Sequence, residues 1–450
     1  MSDAESSLLL PVDRVDKVTC MDLRNGSFTE ELKRLFYFAA PMAAVVIAQF
    51  TLQIISMVMV DTLSGQAYGA KLYRKLGVQT YTAMFCLTLV CIPFSIIWFN
   101  IEKLLVFLGQ DQAIAHEAGR YAAWLIPGLF SYAVTQPLTR YFQNQSKITP
   151  LLITSTLVFC FHAPLCWLLV YKSGLGFLGG AVAMGLSNWL CAIILGCIMC
   201  FSSACSETRA PLSMEIFNGV GEFFRYALPS AAMVCLEWWS FELIILLSGL
   251  LPNPELETSV LSSCLQTIAT VSAIPIAIAA AASTRISNEL GAGNSRAAHI
   301  VVYTATFLAV MESLVVSMSL LVGRSVFGYV FSSDERTVDY VAKMAPLLSI
   351  SIILDGLQAV LAAGIARGCG WQHIGAYINL GSFYLCGIPF AATLAFWFNL
   401  EGVGLWIGIQ AGALVQNFLL GLFTGFTNWQ NQVLLFPFFY VSFFMTCFYR

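Results

Sequence analysis

The chain has 450 residues, 58% of them hydrophobic and only 10% charged, with a mean hydropathy of +0.78. Water-soluble domains carry about 25% charge, so these charges cannot clothe a water-facing surface and a lipid bilayer must be the solvent. A net charge of −3 argues against a nucleic-acid partner. The 14 cysteines are scattered through apolar runs and form no disulfide framework. Cys197 and Cys200 have ligand spacing but no histidine or carboxylate beside them, and the four histidines form no metal-binding box. No metal and no cofactor is expected.

Residues 1–30 are polar and lack the basic start and apolar core of a cleaved signal; they read as a flexible tail. A membrane span needs about 20 mostly apolar residues. Eleven stretches qualify: 35–60, 77–100, 121–141, 149–171, 177–201, 221–248, 259–282, 298–323, 340–362, 375–398 and 402–424. They are expected to be helices, because an open strand edge in lipid leaves backbone groups unpaired. The fold class is an all-α polytopic membrane protein. An N-lobe is assigned to 31–201, a polar linker to 202–220 and a C-lobe to 221–424. An apolar tail follows at 425–450, where 433–448 contains Pro437 and suits the interface or the bundle surface.

The lobes repeat each other. Ala39, Pro41, Ala43 and Ala44 recur as Ala227, Pro229, Ala231 and Ala232, an offset of 188. Gly69, Ala70, Tyr81, Thr82 and Ala83 recur as Gly291, Ala292, Tyr303, Thr304 and Ala305, now at 222. The slip of 34 means that the first half lacks about one span and its connection between positions 41 and 69, leaving five spans against six. The paired Pro41 and Pro229 are candidates for helix bending in a moving, repeat-built carrier.

Basic residues occupy alternate connections: Lys71, Arg74 and Lys75; Arg140 and Lys147; Arg209; Arg285 and Arg296; Arg367. Positive charge marks the cytosolic side, so these connections are placed there. Lys33 and Arg34 conflict with this scheme, and a helix missing after residue 60 would produce the clash.

Glu237 and Asp355 lie deep within predicted spans, where ionisable groups are costly and mark function. Their repeat partners are Gln49 and Gln136, so the second half carries carboxyls where the first carries amides. Desolvation moves a carboxyl toward the range in which it takes and releases protons, and the two groups together suit a proton site. Glu312 is a third, secondary acidic candidate, while Glu242 is close enough to a helix end to snorkel. Gln49, Gln53, Gln136, Asn379 and Asn417 suit either a cavity wall or interhelical hydrogen bonds. Trp238, beside Glu237, offers an aromatic face to a flat or cationic substrate.

The runs GQAYGAK (65–71), CLEWWSFE (235–242), STRISNELGAGN (283–294) and GIARGCGWQ (364–372) closely resemble the plant multidrug and toxic compound extrusion family, the DETOXIFICATION proteins. The likeness runs from about residue 30 to about 432. It implies two pseudo-symmetric six-helix lobes forming a V around a central cavity, and export of organic compounds in exchange for protons. It also assigns the proton-site glutamate to Glu237 and an aspartate to Asp355. Two departures stand out: Val60 runs directly into Asp61–Thr62–Leu63–Ser64, where the family has a further helix, and the chain turns apolar after residue 432. Both fit alternative splicing or a gene-model error.

The expectation is therefore a multi-pass, proton-coupled antiporter that exports organic cations, secondary metabolites or xenobiotics, most simply as a monomer in the plasma membrane, with the vacuolar membrane as the other site. The rival is a transport-incompetent or regulatory isoform. An intramembrane enzyme would need a nucleophile–base pair or a metal cluster, and the sequence offers neither.

Overall fold

The computed structural model describes residues 60–107, 112–330 and 335–433. Apart from Val60 and Val433, the predicted segments 1–30, 35–60 and 433–448 lie outside these residues, as do Pro41, Gln49 and Gln53.

The described chain is helical. A π turn, Val60–Ser64, leads into the short α1, Gly65–Gly69. The first half continues through α2 (Tyr73–Phe99), α3 (Gln112–Asn144), α4 (Ile148–Tyr171) and α5 (Leu178–Phe201). The second half comprises α6 (Val220–Ser248), α7 (Pro254–Val271), α8 (Ala273–Gly291) and α9 (Ser295–Val322). It then runs through α10 (Glu335–Gln358), α11 (Gln372–Asn379) and α12 (Glu401–Phe426). The α10 rod continues through a π-helical stretch, Ala359–Ala366, as far as Cys369, and α11 continues through two further π stretches to Trp397.

Eight described helices are long and apolar enough to cross a membrane, or nine when the bent α7–α8 pair is taken as one span. The predicted span 121–141 lies within α3, which has Pro127 and Pro137 inside it and is not among those helices. On α4 the exposed side chains include Leu152, Phe159 and Trp167, as a lipid-facing helix requires.

The predicted span 259–282 is broken: it falls on two helices, which meet at Ser272 with a bend of 43°. Pro275 supplies the reason. It has no N–H for the Val271 carbonyl, and its ring crowds that carbonyl, so α7 ends there. Two basic residues assigned to connections are corrected. Arg140 lies within α3 at 7% exposure, and Arg367 at 3%.

Without a hydrophobic drive between helices in lipid, small residues set the close contacts. On α12, Gly404, Gly408 and Gly412 recur every fourth residue and lie on one face. They meet Ala395, Ala391 and Gly387 of the antiparallel α11 rod, which share the same spacing. A Cβ at Gly408 would lie 2.1 Å from the Ala391 Cα. Gly408→Val should therefore push these helices apart and destabilise the second half by about 1–3 kcal/mol or more. A lower unfolding temperature in detergent checks this, with Gly421→Val as the neutral control, since nothing lies within 4 Å of that site.

The two halves meet at a seam that repeats itself. A Cβ at Gly69 would lie 1.9 Å from the Asn288 carbonyl oxygen, and one at Gly291 would lie 2.2 Å from that of Gln66. At the repeat offset of 222, Gly69 corresponds to Gly291 and Gln66 to Asn288. The contact is thus its own image under the pseudo-two-fold that relates the halves. Asn288 also donates to the Asn144 carbonyl at 3.0 Å.

Side chains tie the basic connections together at this end. Lys147 reaches the Ala204 carbonyl, Arg74 pairs with Glu215, and Thr208 donates to Gln145. The acidic connections gather at the other end, where Tyr340 donates to Glu257 at 2.8 Å.

Candidate coupling site

The first wall of the site is α6. Its early turns bury Phe223, Ala227 and Ala231 in one cluster with Leu63, Cys86 and Leu129 of the first half. Its later turns, Met233–Phe241, face the second half and carry Glu237 and Trp238. The second wall is the α7–α8 break, which contributes Ile268, Ala269, Ser272 and Ile276. The third is the end of α10 with the π stretch that follows, contributing Asp355, Gln358 and Arg367. A π stretch widens a helix locally and is common at functional sites. Gly356 brings α10 close to α9: a Cβ there would meet the Ser313 Oγ at 1.9 Å. That approach sets the neighbouring Asp355 into the interior.

These walls enclose a cavity of about 220 Å³. Ligand pockets for drug-sized molecules run to about 300–1,000 Å³, so this one suits ions and water better than cargo. Glu237 opens onto it, with the amides of Gln358 and Gln416 near enough to act on its carboxylate. Both carboxyl oxygens of Asp355 are buried and have no hydrogen-bond partner among the described residues. Glu237 and Asp355 lie close enough for their charges to interact, and Arg367 acts electrostatically on Glu237.

Among the other predicted residues, Trp238 lines this cavity. Asn379 and Asn417 do not; both are buried and spend their amides on packing. Asn379 donates to the Met233 carbonyl at 2.6 Å and accepts from Gln416 at 2.7 Å, which holds Gln416 toward Glu237. Asn417 donates to the Leu354 carbonyl at 2.9 Å. Asn379→Leu should leave the Met233 carbonyl and Gln416 short of partners and cost about 1–3 kcal/mol, read as a lower unfolding temperature. Glu312 lies on α9 beside Ser313, 3.4 Å from its hydroxyl, and is not a lining residue of this cavity. Gln136 lies within α3 and lines neither described cavity. Pro229 lies inside α6, which continues as helix to Ser248, and it lines a second cavity.

That second cavity holds about 580 Å³ and lies at the basic end. Thr62, Gln66 and Lys75 of the first half face Tyr226, Trp371 and Gln372 of the second across it. Sequence reasoning missed Gln358, Gln416 and Trp371 as site residues. Gln358 carried a usable signal, since it lies three residues after Asp355 on the same helical face.

A repeat-built bundle of membrane-crossing helices, with carboxyls enclosed beside a broken helix, is the make-up of a secondary transporter. The chain belongs to the MatE family, whose model matches residues 37–168 and 229–393. It is 72% identical to Protein DETOXIFICATION 12 and 74% identical to Protein DETOXIFICATION 13, both of Arabidopsis thaliana, with 96% of this chain and 97% of each relative covered. Those alignments extend over 468 and 469 residues, more than the 450 of this chain, so the relatives hold residues that have no counterpart here. The crystal structure of the eukaryotic MATE transporter AtDTX14 superposes with a TM-score of 0.79 at 51% identity, covering 90% of this chain and 98% of that one. An outward-facing multidrug resistance MATE family transporter shares the fold at 16% identity, with a TM-score of 0.77 over 88% of this chain and 90% of that one. The protein is thus an integral, multi-pass membrane transporter of the MATE family.

Proposed function

We propose that the chain is a proton-coupled antiporter that exports organic cations, secondary metabolites or xenobiotics from the cytosol. The observation that carries this reading is the pair Glu237 and Asp355 in one small cavity, with the Asp355 oxygens lacking a donor among the described residues. A carboxyl without protein donors is at its least costly when it binds a proton or water. The larger cavity at the basic end, with Trp371 and Tyr226 in its wall, has the size and the aromatic faces for an organic cargo. Proton and cargo need not share atoms; each must only favour a different arrangement of the halves. The plasma membrane is the proposed location, and a fluorescent fusion tests it.

The test is cargo movement in vesicles under an imposed pH gradient. Acidification on the side opposite the cargo should drive cargo toward the protons, and a protonophore should abolish it. Transport indifferent to pH would overturn the proposal.

The second reading is a transport-incompetent or regulatory form. It rests on the 34-residue slip of the repeat. Reinserting a relative's missing segment into this chain distinguishes the two: if only the lengthened chain transports, the second reading stands.

A further inference from the structure

We propose that the seam between the halves is a sprung gate: closing it strands polar atoms that water satisfies once the halves part, so the closed form is held only narrowly. The inference rests on the transporter class of the chain and not on its coupling ion. Four atoms carry it. The Ser64 Oγ, the Gln66 Nε2, the Asn288 Oδ1 and the Gln372 Oε1 are sealed from solvent and have no hydrogen-bond partner among the described residues. Ser64, Gln66 and Gln372 are 1%, 2% and 1% exposed.

These atoms gather where the halves meet. Ser64 and Gln66 flank Gly65, whose Cβ position lies 2.1 Å from the Ser287 Oγ and 3.4 Å from the Asn288 Oδ1 across the seam. Gln66 and Asn288 correspond at the repeat offset of 222, and a glycine of the other half rests on the carbonyl of each. The pseudo-two-fold therefore repeats the stranded amide together with the glycine contact. Gln372, of the second half, donates its Nε2 to the Thr62 hydroxyl of the first at 2.9 Å, and its Oε1 is left over. Gln66 and Gln372 also line the larger cavity, so a small displacement at the basic end opens them to it.

Buried polar groups in folded proteins are nearly always paired. A group that is unpaired in one state and hydrated in the other biases the equilibrium by its desolvation cost, about 5- to 150-fold for each. Bonds across the seam act in the opposite direction. The Thr62 hydroxyl donates to the Arg367 carbonyl at 2.5 Å and accepts from Gln372, and the Asn288 Nδ2 donates to the Asn144 carbonyl at 3.0 Å. A carrier needs the two sets near balance, because a seam held too firmly cannot part and one held too weakly cannot seal.

The experiment measures the distance distribution between labels at Ile148 and Phe426, exposed positions of the two halves at the basic end, in the full chain in lipid. Thr62→Val removes two bonds of the closed seam and should move the population toward the long distance. In that background Ser64→Ala and Gln66→Met each remove a stranded group, and each should return the population toward the short distance by about 5- to 150-fold. As single variants both should melt at or above the wild-type temperature, whereas loss of a working hydrogen bond would lower it. Ser382→Ala is the control. Its Oγ is equally buried and unpaired among the described residues, but its carbonyl rests on Gly412 within the second half, so the distance should not move. No opening by Thr62→Val overturns the inference, as does a Ser64→Ala or Gln66→Met change that leaves the seam as open as before or melts below wild type. An equal shift from Ser382→Ala would trace the effect to general stability and overturn it too.

Discussion

Vesicles carrying the Glu237→Gln chain are expected to sustain no cargo gradient, whereas wild-type vesicles sustain one set by the imposed pH difference. One proton exchanged per cation moves no net charge and supports about a tenfold cation gradient per pH unit. A second proton, carried on Asp355, would add a charge worth about 2.3 kcal/mol per 100 mV. The amide keeps the size of Glu237 and its contacts with Gln358 and Gln416 but cannot bind and release a proton. Cargo binding and unfolding temperature should therefore stay near wild type while the driven gradient falls to the leak level. Asp355→Asn should act likewise, or remove only the voltage-dependent part if it carries the second proton. Glu312→Gln, outside the cavity, should keep transport within about twofold, as surface changes usually do. Equal losses in all three variants would show a general fragility of the second half in place of a coupling site.

Gly291→Val is expected to remove the closed form of the seam. A Cβ at residue 291 would lie 2.2 Å from the Gln66 carbonyl, and backbone offers no rotamer by which to retreat. Overpacking costs about 1–3 kcal/mol, and at RT of about 0.6 kcal/mol the open-to-closed ratio rises some 5- to 150-fold. Each half keeps its own core, because the clash lies between halves and not within one. Labels at Ile148 and Phe426 should then report the parted state at every pH, with transport correspondingly reduced. Gly69→Val, the repeat-related change, should do the same, since its Cβ would meet the Asn288 carbonyl. An effect from only one of the pair would refute the seam's two-fold character.

Much of the candidate site was legible because lipid penalises charge. An ionisable residue such as Glu237 or Asp355 in an apolar run stands out without any coordinates. The seam, too, was written in the repeat, as the matched Gly69 and Gly291, although nothing in the sequence said that each would rest on the other half. Neutral amides gave no such signal. Gln416 and Asn379 look alike in sequence, yet one reaches Glu237 and the other holds it in place. Arg367 misled, because a positive charge near a helix end reads as a cytosolic loop residue, whereas the αL cap at Gly370 and the Thr62 contact keep it inside.

The sequence by itself determined the membrane class, the repeat and the two carboxyls, because composition and burial cost are properties of the residues alone. Only the tertiary structure decided that α7 and α8 part at Ser272, that Glu237 and Asp355 share one cavity of about 220 Å³, and that Thr62 of one half grips Arg367 of the other. These depend on which helices meet and at what angle. Small-residue contacts and proline breaks spread over distant parts of the chain set that angle, and periodicity along a single helix does not encode it.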